Sequence, residues 1–169
     1  FFAYGEQWLA TGFNLSPLNM EFKSSPQAAP DPHLFGGLMG VFADSVPDGW
    51  GMLLMDRFFL RERGIDRRAI TALDRLAYMG DRAMGALEYR PVLEKSEVDS
   101  PLDLERLYRA ALDVYEGDTE TTLDALRLAG GSPAGARPKV DVALSQDKQQ
   151  IRSSFTKVHE VMKPLLRRE

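Results

Sequence analysis

The chain has 169 residues, of which 44% are hydrophobic and 27% charged, with nine Phe and two Trp, so it can bury a real core and disorder does not describe most of it. Its net charge of -4 excludes a surface built throughout to hold DNA or anionic lipid, although a local basic patch remains compatible. Zero cysteines exclude disulfides, thiolate zinc sites and cysteine nucleophiles, and with only His33 and His159 no histidine-rich metal site is expected. No run approaches the roughly 18 apolar residues of a membrane span, and the start lacks a basic region followed by an apolar one, so a cytoplasmic location without membrane contact is expected.

Residues 1–35 are rich in aromatics and prolines and carry short apolar runs, which predicts short strands joined by turns. Ser24 to Pro32 reads as a loop, because Pro26, Pro30 and Pro32 interrupt any ladder or helix. Leu38, Val41 and Phe42 make a short amphipathic face that stops near Asp44. A helix follows through Trp50, Leu53, Leu54, Phe58 and Leu60, with Asp44 or Ser45 as cap, Pro47 in the first turn and Gly64 as the stop. Asp66 is the expected N-cap of a helix over 67–79, ended by Gly80.

Gly85 to Pro91 alternates apolar and polar residues and is expected as a strand. After a polar connection over 92–100, a helix starts at Ser100-Pro101 and runs to about Gly117, and a shorter one occupies about 121–129. Residues 139–144 predict a strand leaving a glycine-rich turn. The last twenty residues carry a helical pattern through Val158, Val161, Met162, Leu165 and Leu166, interrupted by Pro164. Both ends read as cut: the chain starts without Met, inside a strand-like run, and ends inside a helical pattern.

The segment Gly130-Gly131-Ser132-Pro133-Ala134-Gly135-Ala136-Arg137-Pro138-Lys139 holds the most chemistry. Its small residues let main-chain N–H groups approach an anion, and Lys139 can aim a point charge at phosphate oxygens. It is neither a Walker A loop, since Pro138 precedes and Val140 follows the lysine, nor a G-x-G-x-x-G dinucleotide loop. On spacing alone a tight turn is the commoner use of such a segment. Asp44, Ser45 and Asp48 beside a helix start are read as capping residues and Trp50 as a core anchor, not as catalytic groups. Arg61, Arg63, Arg67 and Arg68 are interleaved with acidic residues and read as a solvated face, not a nucleic-acid patch.

Three blocks in order carry a family resemblance. Phe42-Ala43-Asp44-Ser45-Val46-Pro47-Asp48-Gly49-Trp50-Gly51 resembles the F-x-D-S-L-P-D-G-W-G signature of the HipA-type serine/threonine kinase toxins. Asp74 to Gly80 with Met84 to Pro91 resembles their second block, and Gly130 to Lys139 resembles their third, the ATP-binding glycine-rich loop. The resemblance covers residues 1 to about 150.

It implies an α+β fold: a small antiparallel sheet or partial barrel with a helical cluster over residues 1–128, then the first strands of a kinase-like N-lobe over 129–169. It also implies ATP and Mg2+ in the complete enzyme, with Ala134, Gly135, Ala136, Arg137, Pro138 and Lys139 against the nucleotide phosphates and Ser132 as a regulatory autophosphorylation site. A phosphate beside that cradle adds about two negative charges and repels ATP. A small DNA-binding antitoxin and a protein substrate are the implied partners. The two aspartates that a kinase needs for the substrate hydroxyl and for magnesium have no H-R-D-like or D-F-G-like segment here. Phe155-Thr156-Lys157 is the nearest candidate for the next lysine-bearing strand. Phosphoryl transfer by this chain alone is therefore not expected, and a non-catalytic interaction module that binds partners without nucleotide is the alternative.

Overall fold

A computed structural model describes residues 1–83, 86–93, 103–117, 126, 137, 142–144 and 151–153. Among these residues the helices are α1 Glu6–Leu9, α2 Gly40–Ala43, α3 Gly49–Arg63, α4 Ala72–Met79 and α5 Leu104–Glu116, with a 3-10 turn at Leu34–Gly37. Two three-residue strands, β1 Val142–Leu144 and β2 Ile151–Ser153, pair antiparallel with Ala143 opposite Arg152. β1 coincides with the end of the strand expected at 139–144.

The expected α+β fold is overturned: among the described residues helices dominate, and those of the N-terminal region form no antiparallel sheet or partial barrel. Residues 1–35 contain one isolated bridge, Phe2 opposite Gln27. The bridge does not spread, for local reasons. Pro26 and Pro30 flank Gln27 and donate no hydrogen bond, and the Gln27 amide side chain is itself bound to the Glu21 main chain in both directions, at 2.9 and 2.8 Å. The four-residue α1 interrupts the other arm directly after Gly5. Gly85 to Pro91 likewise makes no strand where it is described, 86–91, because the Tyr89 N–H donates to the Gly80 carbonyl and not to a neighbouring strand. Nor do kinase N-lobe strands assemble: beyond the β1–β2 pair the described residues hold no third strand.

α3 organises the molecule. Trp50 and Leu54 pack against Leu107, Ala111 and Val114 of α5 and against Leu126. On its other side, Met55, Phe58 and Phe59 meet Ile70 and, from α4, Tyr78 and Met79. The rings of Phe58 and Tyr78 lie 5.0 Å apart and those of Phe58 and Phe59 5.6 Å apart, within the range of favourable aromatic pairs. A helix with apolar neighbours on two flanks must be apolar around most of its circumference, which explains its long unbroken apolar spacing. Polar links cross the same seams. Arg75 of α4 donates to Asp56 of α3 at 2.7 Å, and Arg57 donates to the Val114 carbonyl near the end of α5 at 3.1 Å.

Helix ends follow capping chemistry with three departures from expectation. Gly64 and Gly117 end α3 and α5 in the left-handed region, and Gly80 ends α4. The cap of α3 is Asp48, with Pro47 just outside the helix and not in its first turn; Asp44 is the C-cap of α2. The cap of α4 is Thr71, in a reciprocal capping box with Asp74, so the helix begins at Ala72 and not at 67. Asp66 instead accepts from the Arg68 N–H in a local turn. α5 begins at Leu104, capped by Asp103, later than Ser100-Pro101. The expected helix over 121–129, apart from Leu126, and the helical pattern through Val158 to Leu166 lie outside the described residues.

Candidate functional site

A third apolar cluster forms from the N-terminal segment. Tyr4, Met20 and Met39 are buried, with Phe2, Phe22, Val41 and Phe42 packed around them. The Tyr4 hydroxyl donates to Asn14 Oδ1 at 2.8 Å and accepts from the Leu15 N–H, and the Asn14 amide donates to the Met20 carbonyl. These bonds hold an irregular segment against α2 without a ladder, while Phe2 sets its ring 4.9 Å from that of Phe42.

Between this cluster and the N-terminal half of α4 opens a cleft of about 700 Å3. Its walls come from stretches far apart in sequence: residues 1–8 with Leu15, Gln27 and Ala29, residues 36–42, Thr71 to Leu76, and Leu87 to Arg90. Met39, Phe42 and Leu76 line it, and Trp8 and Leu73, exposed at 42% and 71%, stand among its walls. Volume and lining are those of a site that takes an apolar or amphipathic ligand, and few charged groups reach it.

The FADSVPDGWG segment supports this cleft from behind. Ser45 is buried, and its hydroxyl accepts a 2.7 Å hydrogen bond from the Tyr89 hydroxyl, which fastens the 86–91 stretch across 44 residues of chain. Burial pushes the Tyr89 phenol above its ordinary pKa and the Asp44 carboxylate adds to the rise, against the opposing effect of the Ser45 bond. Trp50 is 2% exposed in the α3–α5 core, and its indole N–H has no hydrogen-bond partner among the described residues. Trp50 is thus a packing residue, as its size suggests. Asp48 takes the N-cap position, although its side chain makes no capping bond.

On the other flank of α4, the Thr71–Asp74 box fixes the helix start that lines the cleft. The Thr71 hydroxyl and main-chain N–H hold the Asp74 carboxyl below its ordinary pKa, with a smaller contribution from Arg75.

Of the residues expected at a phosphate site, only Arg137 is described, and it is exposed. Ser132, Ala134, Gly135, Ala136, Pro138 and Lys139 lie outside the described residues. The cleft is what sequence reading missed: it joins segments that share no motif, and only the exposed apolar residues Trp8 and Leu73 hint at it. Among the described residues no cluster of His, Asp or Glu is arranged to hold a metal ion. No helix among them is long and apolar enough to cross a membrane.

No curated protein and no solved structure matches the chain. A family model, the HipA N-terminal domain, matches residues 1–90, the stretch that contains every wall of the cleft and the Ser45–Tyr89 bond. The match covers more than half of the chain, which therefore belongs to the HipA N-terminal domain family.

Proposed function

We propose that the chain is the N-terminal part of a HipA-like serine/threonine kinase toxin which, when complete, transfers the γ-phosphoryl group of ATP to a protein serine. The observation that carries this reading is the family match over residues 1–90 together with the GGSPAGARPK segment that follows it at 130–139. In this reading residues 1–128 form the N-terminal subdomain, and residues 129–169 hold the glycine-rich loop and the start of the nucleotide lobe. Main-chain N–H groups of Ala134, Gly135 and Ala136 cradle the phosphates, Pro138 stiffens the loop, and Arg137 and Lys139 supply positive charge. The exposure of Arg137 leaves its guanidinium accessible for that role. Phosphorylation at Ser132 places negative charge beside the cradle and turns binding off. ATP brings the phosphoryl group, with Mg2+ as its counter-ion; a small DNA-binding antitoxin and a protein substrate are the partners of the complete enzyme.

The test is calorimetric titration of the chain with Mg-ATP beside a Lys139→Ala variant. Saturable binding weakened about tenfold or more by the substitution supports the reading. Absence of binding by the unmodified chain favours a second one, a non-catalytic interaction module, for which the open apolar cleft inside the family-matched region is the supporting observation.

A further inference from the structure

The chain has no cysteine, so methionine carries its most easily oxidised sulfur. Its seven methionines are not equally open to an oxidant in solvent. Met20, Met39, Met55 and Met79 are each 5% exposed or less. Met52 of α3 is the one methionine among the described residues that is only partly buried, and it packs against the cluster of Met55, Phe58 and Tyr78. Its sulfur belongs to a polar joint between two helices. Arg75 of α4 brings a single nitrogen, Nη1, within hydrogen-bond reach of three groups of α3: the Asp56 carboxylate at 2.7 Å, the Met55 sulfur at 3.4 Å and the Met52 sulfur. A thioether is a weak acceptor, so the carboxylate holds that nitrogen while the sulfur is unoxidised. The Arg75 and Asp56 side chains are 16% and 22% exposed, which leaves water little room to replace either partner.

We propose that Met52 is an oxidative modification site: hydrogen peroxide converts it to the sulfoxide, whose oxygen draws Arg75 away from Asp56 and loosens α3 from α4. In that step a sulfur lone pair attacks one peroxide oxygen. The O–O bond breaks, an S–O bond forms, and the other oxygen leaves with both protons as water. Sulfur loses two electrons and the peroxide gains them. The new oxygen sits one bond beyond a sulfur that Arg75 already reaches, and it accepts hydrogen bonds far better than the sulfide did. Two costs follow at the joint. The Asp56 carboxylate is left short of its cation, and a polar oxygen lies against the cluster of Phe58 and Tyr78. α4 also supplies Thr71 to Leu76 to the cleft, so the modification acts on a helix that shapes it. A thiol-dependent methionine sulfoxide reductase reverses the change. The inference uses no part of the glycine-rich segment and stands apart from the kinase assignment.

The test treats the full chain with graded hydrogen peroxide and locates each sulfoxide by tandem mass spectrometry. Met52 is expected to oxidise about tenfold or more faster than Met20, Met39, Met55 and Met79. Equal rates at these five positions would overturn the proposal, and this arm needs no variant. The oxidised chain is expected to melt about 3 °C or more below the untreated one. Met52→Leu, a swap that conserves volume, should remove most of that fall under the same treatment. A fall of the same size in Met52→Leu would show that another residue carries it, and the proposal would be lost. The hand-over from Asp56 has its own readout. Asp56→Asn should lower the melting temperature of the untreated chain and leave that of the oxidised chain nearly unchanged, because Arg75 has already left the carboxylate. An equal loss in both forms refutes the hand-over. Methionine sulfoxide reductase with a dithiol is expected to return the melt to the untreated value, and a fall that persists once Met52 is reduced again counts against the site.

Discussion

Removing the Tyr89 hydroxyl tests how the cleft's far wall is held. In Tyr89→Phe the ring remains, and the buried Ser45 hydroxyl loses the donor that reaches it at 2.7 Å. A net hydrogen bond contributes about 1 kcal/mol, and a buried hydroxyl left short of a partner costs about 1–3 kcal/mol, so a loss of about 1–2 kcal/mol is expected. Ser45→Ala should cost about 1 kcal/mol, because Tyr89 is only half-buried and water can take over as acceptor. The double variant should lose less than the sum of the singles, by a coupling of about 1 kcal/mol. For a chain of this size 1 kcal/mol corresponds to about 2–4 °C in melting temperature. Urea denaturation of the four proteins measures the cycle, with hydrogen exchange at the Tyr89 amide reporting the wall itself. A coupling below about 0.3 kcal/mol, with unchanged exchange at that amide, would refute the claim that this bond fastens 86–91 to the body of the domain.

Two glycines that end helices should respond differently to alanine. Gly64 sits at φ 64° with open space around it, so Gly64→Ala is expected to lose about 1 kcal/mol from backbone strain alone. At Gly80, φ 54° and ψ -116°, a Cβ would lie 2.6 Å from Val92 Cγ1 and close to both its neighbours; overpacking adds to the strain, and about 2–4 kcal/mol is expected in the same denaturation assay. Thr71→Ala should cost about 1 kcal/mol near neutral pH. Since the folded-state pKa of Asp74 is lowered, chiefly by the Thr71 hydroxyl, that contribution is present above the unfolded value of about 3.9 and is lost as pH falls through the folded one. Tyr89 has the opposite profile: burial raises its pKa, so its contribution is whole below about pH 10 and is lost as pH rises through the folded value. Urea midpoints followed from acid to alkali, each variant against parent, check both signs.

What sequence could reveal here was set by how local the cause was. α3 and its stop at Gly64, the stop at Gly80, and the end of α5 at Gly117 follow from apolar spacing and from glycine at left-handed or otherwise unusual backbone positions, all contained within one helix length. The cap of α4 was misplaced because both Asp66 and Thr71 carry capping side chains, and only Thr71 has an acidic residue three positions on to complete the box. The strands expected in 1–35 and 85–91 failed for a different reason. Alternation marks residues that suit a pleated, half-buried surface, but pairing needs a neighbour, and here the main-chain groups of Gln27 and Tyr89 meet single partners between proline-rich or helical segments. The cleft was illegible on the same ground, since it exists where residues 1–8, 15–29, 36–42, 71–76 and 87–90 converge. The family, by contrast, was carried by contiguous blocks, above all Phe42 to Gly51, and needed no knowledge of folding partners.

The position of α3 between two apolar clusters has a consequence for how the domain comes apart. Trp50 and Leu54 serve one cluster while Met55, Phe58 and Phe59 serve the other, so neighbouring residues on a single helix answer to different sides of the molecule. A helix is too stiff to shift Leu54 without moving Met55. Loosening at the α5 flank is therefore delivered directly to α4, and through α4 to the floor of the cleft. The two clusters are therefore expected to loosen together, and the shape of the cleft to depend on packing on the far side of the protein.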